Sequence, residues 1–248
     1  MRKMFATLFV AISIFFGSLN GVFGDNNYQK GLDAYEIGHF HTAISYFRPL
    51  AEQGNVNAQV YLGIMYEKGQ GVPQDMKLAF EWFAAAALKG HPVAQTELGA
   101  FYGQGKVVPG VPKDFKLAYK WYAKAAEQGF AKAQFLLGNL YLTGQGVPKD
   151  FKLAFEWFAK SAEQGFGTAQ TFLGLMYGRG KGIPQDYIKG YMWINLSITQ
   201  FKNTIYKTKI KNVANRAINN FEKKMTPEQI AKAQELATQC YAKKFKGC

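Results

Sequence analysis

The sequence predicts an all-α fold, an α-solenoid of antiparallel helix pairs, and three observations carry that expectation. The pattern Ala-x-x-x-Leu-Gly-x-x-Tyr-x-x-Gly occurs four times: at Ala58, Leu62, Gly63, Tyr66 and Gly69; at Ala94, Leu98, Gly99, Tyr102 and Gly105; at Ala133, Leu137, Gly138, Tyr141 and Gly144; and at Ala169, Leu173, Gly174, Tyr177 and Gly180. The copies are 36, 39 and 36 residues apart, a period that marks stacked supersecondary units. Each copy then passes through Val/Ile-Pro-x-Asp into a stretch whose apolar residues recur at helical spacing. The clearest duplication is GVPKDFKLAYKWYAKAAEQGF at 110–130 and GVPKDFKLAFEWFAKSAEQGF at 146–166.

The chain opens with a segment of a different kind. Arg2 and Lys3 precede the uncharged run MFATLFVAISIFF, and small and polar residues follow to Gly24. That order predicts a secretory signal peptide over residues 1–24, too short in its apolar part to span a bilayer comfortably. The expected product is exported, periplasmic or secreted, with no stable transmembrane span. Residues 25–56 are expected to form an N-terminal capping helix pair turning at Gly38-His39-Phe40.

Within residues 57–199 the local chemistry defines each helix pair. Asp75, Asp114, Asp150 and Asp186 are N-cap candidates, because a carboxylate accepts from the free N–H groups of a first helical turn. Pro73, Pro112, Pro148 and Pro184 keep the preceding helix from running on. The Gly after each Tyr suits a left-handed C-cap. Second helices present Ala79, Phe80, Trp82, Phe83, Ala86 and Ala87, and the same series recurs from Ala118 and from Ala154. The mid-helix glycines Gly63, Gly99, Gly138 and Gly174 each cost about 1 kcal/mol against Ala, so their recurrence predicts close approach of a partner helix.

These motifs resemble the Sel-one-like repeat family, relatives of tetratricopeptide repeats. The resemblance implies a right-handed superhelix of helix pairs and roles in protein–protein interaction, as scaffold or adaptor in a bacterial envelope or toward a host. Some cysteine-rich relatives interact with penicillin or peptidoglycan or hydrolyse β-lactams, which implies an alternative as an envelope hydrolase. The repeats here contain no cysteine.

The fourth copy departs from the pattern, with Gly190 at the usual Ala position, and residues 200–248 read as a basic helical cap. This segment holds 11 basic and 3 acidic residues of a chain whose net charge is +13. It could favour an anionic surface. Thr226-Pro227-Glu228-Gln229 is a helix start with a capping box. The only cysteines, Cys240 and Cys248, are expected to pair in an oxidising compartment.

No residue set points to catalysis. The GQGVPQD-type loops lack the Lys-Ser/Thr and the preceding strand of a phosphate loop. His39 and His41 have no further ligand near, and zinc takes about three or four. Glu81 and Glu156 share their repeat position with Lys120, as solvated residues do. The expectation is a monomer that is not an enzyme, takes no cofactor or metal, and does not bind nucleic acid. In tetratricopeptide folds first-helix side chains line the concave face. Transferring that phase from the Leu-Gly anchor assigns a protein or peptide partner to Val60, Ile64, Glu67, Lys68, Thr96, Ala100, Gln104, Phe135, Asn139, Thr143, Thr171, Leu175 and Arg179.

Overall fold

The computed structural model describes residues 26–105, 108–200 and 205–248; the side chains at 104, 200 and 205–207 are outside that description, as is the expected signal peptide. Among the described residues there are twelve helices and no strand. They are α1 (26–36), α2 (Phe40–Glu52), α3 (Val56–Lys68), α4 (Met76–Leu88), α5 (Pro92–Gln104), α6 (Phe115–Glu127), α7 (Ala131–Thr143), α8 (Phe151–Ala162), α9 (Gly167–Arg179), α10 (Tyr187–Gln200), α11 (Ile205–Glu222) and α12 (Pro227–Ala242). The chain divides into two compact units, one running to Ala94 together with 106–111, the other comprising 95–105 and 112–248.

In the first unit α2 packs on α3, and α3 on α4. Its core joins Ala43, Phe47 and Leu50 to Ala58, Leu62 and Met65. Phe47 stacks on Tyr61 with ring centroids 4.9 Å apart. In the second unit α7 packs on α6 and α8, and α9 on α8 and α10. Helices α11 and α12 both pack on α10, and α11 also meets α9.

One joint recurs in both units. Asp75 Oδ1 accepts from Lys77 N and Leu78 N at 2.9 and 3.0 Å; Asp114 and Asp150 cap α6 and α8 in the same way. Asp186 accepts from Lys189 N at 2.9 Å. The N–H of each of these aspartates donates backwards, to Tyr66, Tyr102, Tyr141 and Tyr177 O at 2.9–3.0 Å. A single residue therefore starts the second helix and ties it to the end of the first.

The mid-helix glycines do make room for a partner. A Cβ on Gly63 would stand 2.8 Å from the Phe83 ring, one on Gly99 2.6 Å from Tyr122, and one on Gly138 2.9 Å from Phe158. On Gly174 it would meet Ile194 Cγ1 at 2.5 Å. These four partners are buried. The tryptophans Trp82, Trp121 and Trp157 sit one residue earlier and are half-buried, with Lys124 and Lys160 over the rings of Trp121 and Trp157.

A second recurring device was not expected. Gln59, Gln95, Gln134 and Gln170 are buried. Gln59, Gln134 and Gln170 donate to Ala51, Ala126 and Ala162 O at 3.0–3.2 Å, binding a first helix to the end of the second helix before it. Gln95 and Gln134 accept in turn from Gln128 and Gln164 at 2.7 Å.

Thr226 and Gln229 make the capping box of α12. Cys240 and Cys248 are joined by a disulfide, with Cα atoms 5.6 Å apart. The ring it closes holds Phe245 against the α8–α9 turn, where a Cβ on Gly165 would lie 2.9 Å from the Phe245 ring.

Candidate partner-binding surface

Exposure sorts the expected surface residues by their position along the first helices. Val60, Thr96, Phe135 and Thr171, two residues before the Leu of each motif, are buried, and so is Ala100. These five are corrected from partner contacts to packing residues. The reason is visible in the second unit: Phe135 of α7 lies 5.6 Å from the Phe158 ring and 5.4 Å from Phe172 of the following first helix. Thr171 donates to Gly167 O and Ser197 Oγ. Phe172 of α9 thus covers this early position of α7, and the other candidates lie nearer the helix ends.

There the remaining candidates emerge. Ile64, Glu67, Asn139 and Leu175 are half-buried, and Lys68, Thr143 and Arg179 are exposed. Gln104 closes α5, and its side chain lies outside the described residues. Exposed Thr143 turns back on its own helix, donating to Asn139 O at 2.8 Å.

Leu175 and Arg179 come together in two adjoining hollows. The smaller, about 210 Å³, is lined by Leu142, Lys149, Phe151, Phe172, Leu175, Met176, Arg179 and Lys181. Lys149 and Lys181 stand over the Phe151 ring at 4.9 and 5.1 Å. The larger, about 610 Å³, lies between α9, the start of α10 and α11. Its lining comprises Leu175, Gly178, Arg179, Tyr187, Val213, Arg216, Ala217, Asn220, Phe221, Lys223 and Lys224.

Two glycines build the larger cleft. Phe221 of α11 fits against α9 where Gly178 has no side chain, and a Cβ on Gly190 of α10 would lie 3.1 Å from its ring. At the position of Gly178 the earlier copies carry Glu67, Gly103 and Leu142. Phe221 also packs on Tyr187, with centroids 5.7 Å apart, and Lys224 donates to the Tyr187 hydroxyl at 3.2 Å. Glu222 accepts from the Tyr191 hydroxyl at 3.2 Å and is not part of the lining. Burial raises the Tyr191 pKa above the ordinary phenol value, so it stays neutral. Tyr141 is pushed up to about 12, by burial first and then by the Tyr119 hydroxyl 3.2 Å away.

Sequence reasoning missed Lys149, Lys181, Val213, Arg216, Phe221 and Lys223 as neighbours of Leu175 and Arg179. The available signal was the departure from the repeat at Gly190, beside a strongly basic tail. Among the described residues no three His, Cys, Asp or Glu side chains group as a metal site. His39 and His41 are exposed. No described helix is long and apolar enough to cross a membrane.

Comparison with known proteins fits this architecture. The Sel1 repeat family matches residues 15–55, 56–91, 92–130, 131–166 and 167–200, its first segment overlapping the expected capping pair. A Sel1 repeat protein from Oxalobacter formigenes is 26% identical, with a TM-score of 0.62 over 86% of this chain and 99% of that one. A sel1 repeat protein from Klebsiella pneumoniae subsp. pneumoniae is 21% identical, with a TM-score of 0.50 over 80% of this chain and 92% of that one. No curated protein matches the chain. Sel1 repeat proteins generally mediate protein–protein interaction, and the family is typically non-catalytic. With five matched segments and a like fold in a solved relative, the chain belongs to the Sel1 repeat family.

Proposed function

We propose that this chain is an exported, non-enzymatic scaffold that holds a protein partner on the later turns of its first helices. The observation that carries the reading is the split between repeated and unrepeated positions. Ala, Leu, Gly and Asp recur and are spent on packing and caps, whereas one later position varies as Ile64, Ala100, Asn139 and Leu175, and three of these four, all but Ala100, are half-buried rather than buried. A scaffold needs a rigid frame and a variable face, and stacked repeats supply both. Export is supported by the charged-then-apolar start at Arg2 to Phe16 and by the joined Cys240 and Cys248, since disulfides persist in oxidising compartments.

The test places a photoreactive amino acid at Lys68, Asn139 or Thr143, and at the exposed second-helix positions Glu81, Lys120 or Glu156, in the cell of origin. Adducts to one protein from the first set and not the second are expected. Adducts from the second set alone, or from neither, would overturn the reading. N-terminal sequencing of the exported product should begin at Asp25; recovery of the chain solely from the cytoplasm contradicts export.

A further inference from the structure

The geometry points to a distinct recognition site in the cleft between α9 and α11, and we infer that its ligand is an acidic segment of a partner protein carrying apolar side chains among its carboxylates. The inference deepens the scaffold reading and rests on it. Four cations, Arg179, Arg216, Lys223 and Lys224, line this cleft, and no carboxylate appears in its described lining. All four are exposed. Arg179 also borders the adjoining hollow, which adds Lys149 and Lys181 and again no described acid. Like charges gathered without counter-charges repel one another, and a bound polyanion relieves that repulsion. Guanidinium groups donate paired hydrogen bonds to carboxylates.

The size and chemistry of the walls favour a peptide over other anions. About 610 Å³ is far larger than a single phosphate and suits several side chains. Leu175 lies half-buried in the lining and Val213 is 38% exposed, so the cleft offers apolar contacts as well as charge. Proteins that hold single strands add aromatic faces on which the bases stack. Here Phe221 is buried, and Lys224 stands 5.3 Å over the Tyr187 ring. A bilayer engages a helix through a broad apolar face. On α11 Val213 is the one large hydrophobic exposed among the described side chains, and it faces a recess.

The cleft also lies where the repeat pattern ends. Helix α11 follows the last matched repeat, and Gly178 together with the departure at Gly190 seats its Phe221. The recognition chemistry is thus added to the array by the helix that follows it, α11, with Arg179 contributed by the repeat itself.

Fluorescence anisotropy on the purified chain provides the test, using a labelled peptide of alternating glutamate and leucine and a control with glutamine for glutamate. The glutamate peptide should bind at least about ten-fold more tightly, and its affinity should fall as salt rises. Arg179→Glu with Arg216→Glu should weaken it at least about ten-fold, while Lys120→Glu on α6 leaves it unchanged; an unaltered thermal melt shows that the double variant folds. Equal binding of both peptides, or equal loss with Lys120→Glu, overturns the inference. So does capture of phosphatidylglycerol vesicles with the same sensitivity to Arg179→Glu and Arg216→Glu, which would assign the cleft to a lipid surface. If crosslinks from Asn139 persist in a double variant whose native partner binds as before, the scaffold reading stands and this inference falls.

Discussion

The pairs α7–α8 and α9–α10 are built on the same plan and end differently. Gly138 admits Phe158, and Gly174 at the same repeat position admits Ile194. Beyond that point α8 keeps Ala154, whose side chain lies in the core, whereas α10 has Gly190. The α9–α10 approach is tighter: a Cβ on Gly174 would also stand 2.7 Å from Gly190 O. Gly178 and Gly190 then leave space that Phe221 fills from outside the repeats. The internal pair spends its side chains on the next copy. The terminal pair, with no further copy to meet, spends them on a different helix and leaves a basic cleft beside it. Repetition builds the frame, and the break in repetition makes a site.

Substitutions can break this comparison, the largest effects first. Phe158→Ala should cost about 3–5 kcal/mol, because a buried ring leaves a cavity among α7, α8 and α9. Phe221→Ala should cost a similar ~3 kcal/mol and in addition abolish peptide binding in the cleft, as α11 loses its seat. Urea unfolding with parallel anisotropy separates the two; equal binding by both variants would show that α11 is not part of the site. Next, Gly174→Ala should destabilise by about 2–3 kcal/mol and Gly138→Ala by about 1. The reason is that Gly174 faces backbone at Gly190 while Gly138 faces chiefly a ring. Replacing Cys240 and Cys248 by Ser should cost about 2–3 kcal/mol, seen as faster hydrogen exchange in α12 and the α8–α9 turn and not in α6. Asp150→Ala removes one cap and should cost about 1 kcal/mol.

The smallest effect depends on pH and belongs to the first unit. Burial lowers the His91 pKa below 6.5, and its Nδ1 has no hydrogen-bond partner among the described residues. The unfolded chain therefore binds a proton more readily than the folded one. This contribution is intact above about pH 6.5 and is lost as pH falls through 6.5 toward the lower folded value. The melting temperature should drop between about pH 7.5 and 5.5 by less in His91→Gln than in the parent.

Much of the frame was legible because its causes are local. The four Asp caps, the Gly stops and the Thr226–Gln229 box follow from which side chains can satisfy a free helix end. The role of Gly63 and its three counterparts was legible from cost alone, since repetition of an unfavourable residue demands a packing reason. The buried glutamines were not, because Gln is mostly exposed in proteins and nothing local marks Gln134 as a tie between helices. The surface was half legible. The Leu-Gly anchor gives the direction of Phe135 around its helix, but not that Phe172 of the next first helix covers it. The cleft itself depends on α11 returning to α9, a contact between residues 43 apart at Gly178 and Phe221 that only the tertiary structure reveals.

The central claim, that specificity lies where the repeats end, is tested most directly by photocrosslinking from Arg216 and from Glu156 in the same cells, with the adducts mapped to peptides. The account predicts an adduct from Arg216 to a segment rich in Asp and Glu, lost on Arg179→Glu, and none from Glu156. An adduct from Glu156 alone, or one from Arg216 to a segment without acidic residues, would contradict it.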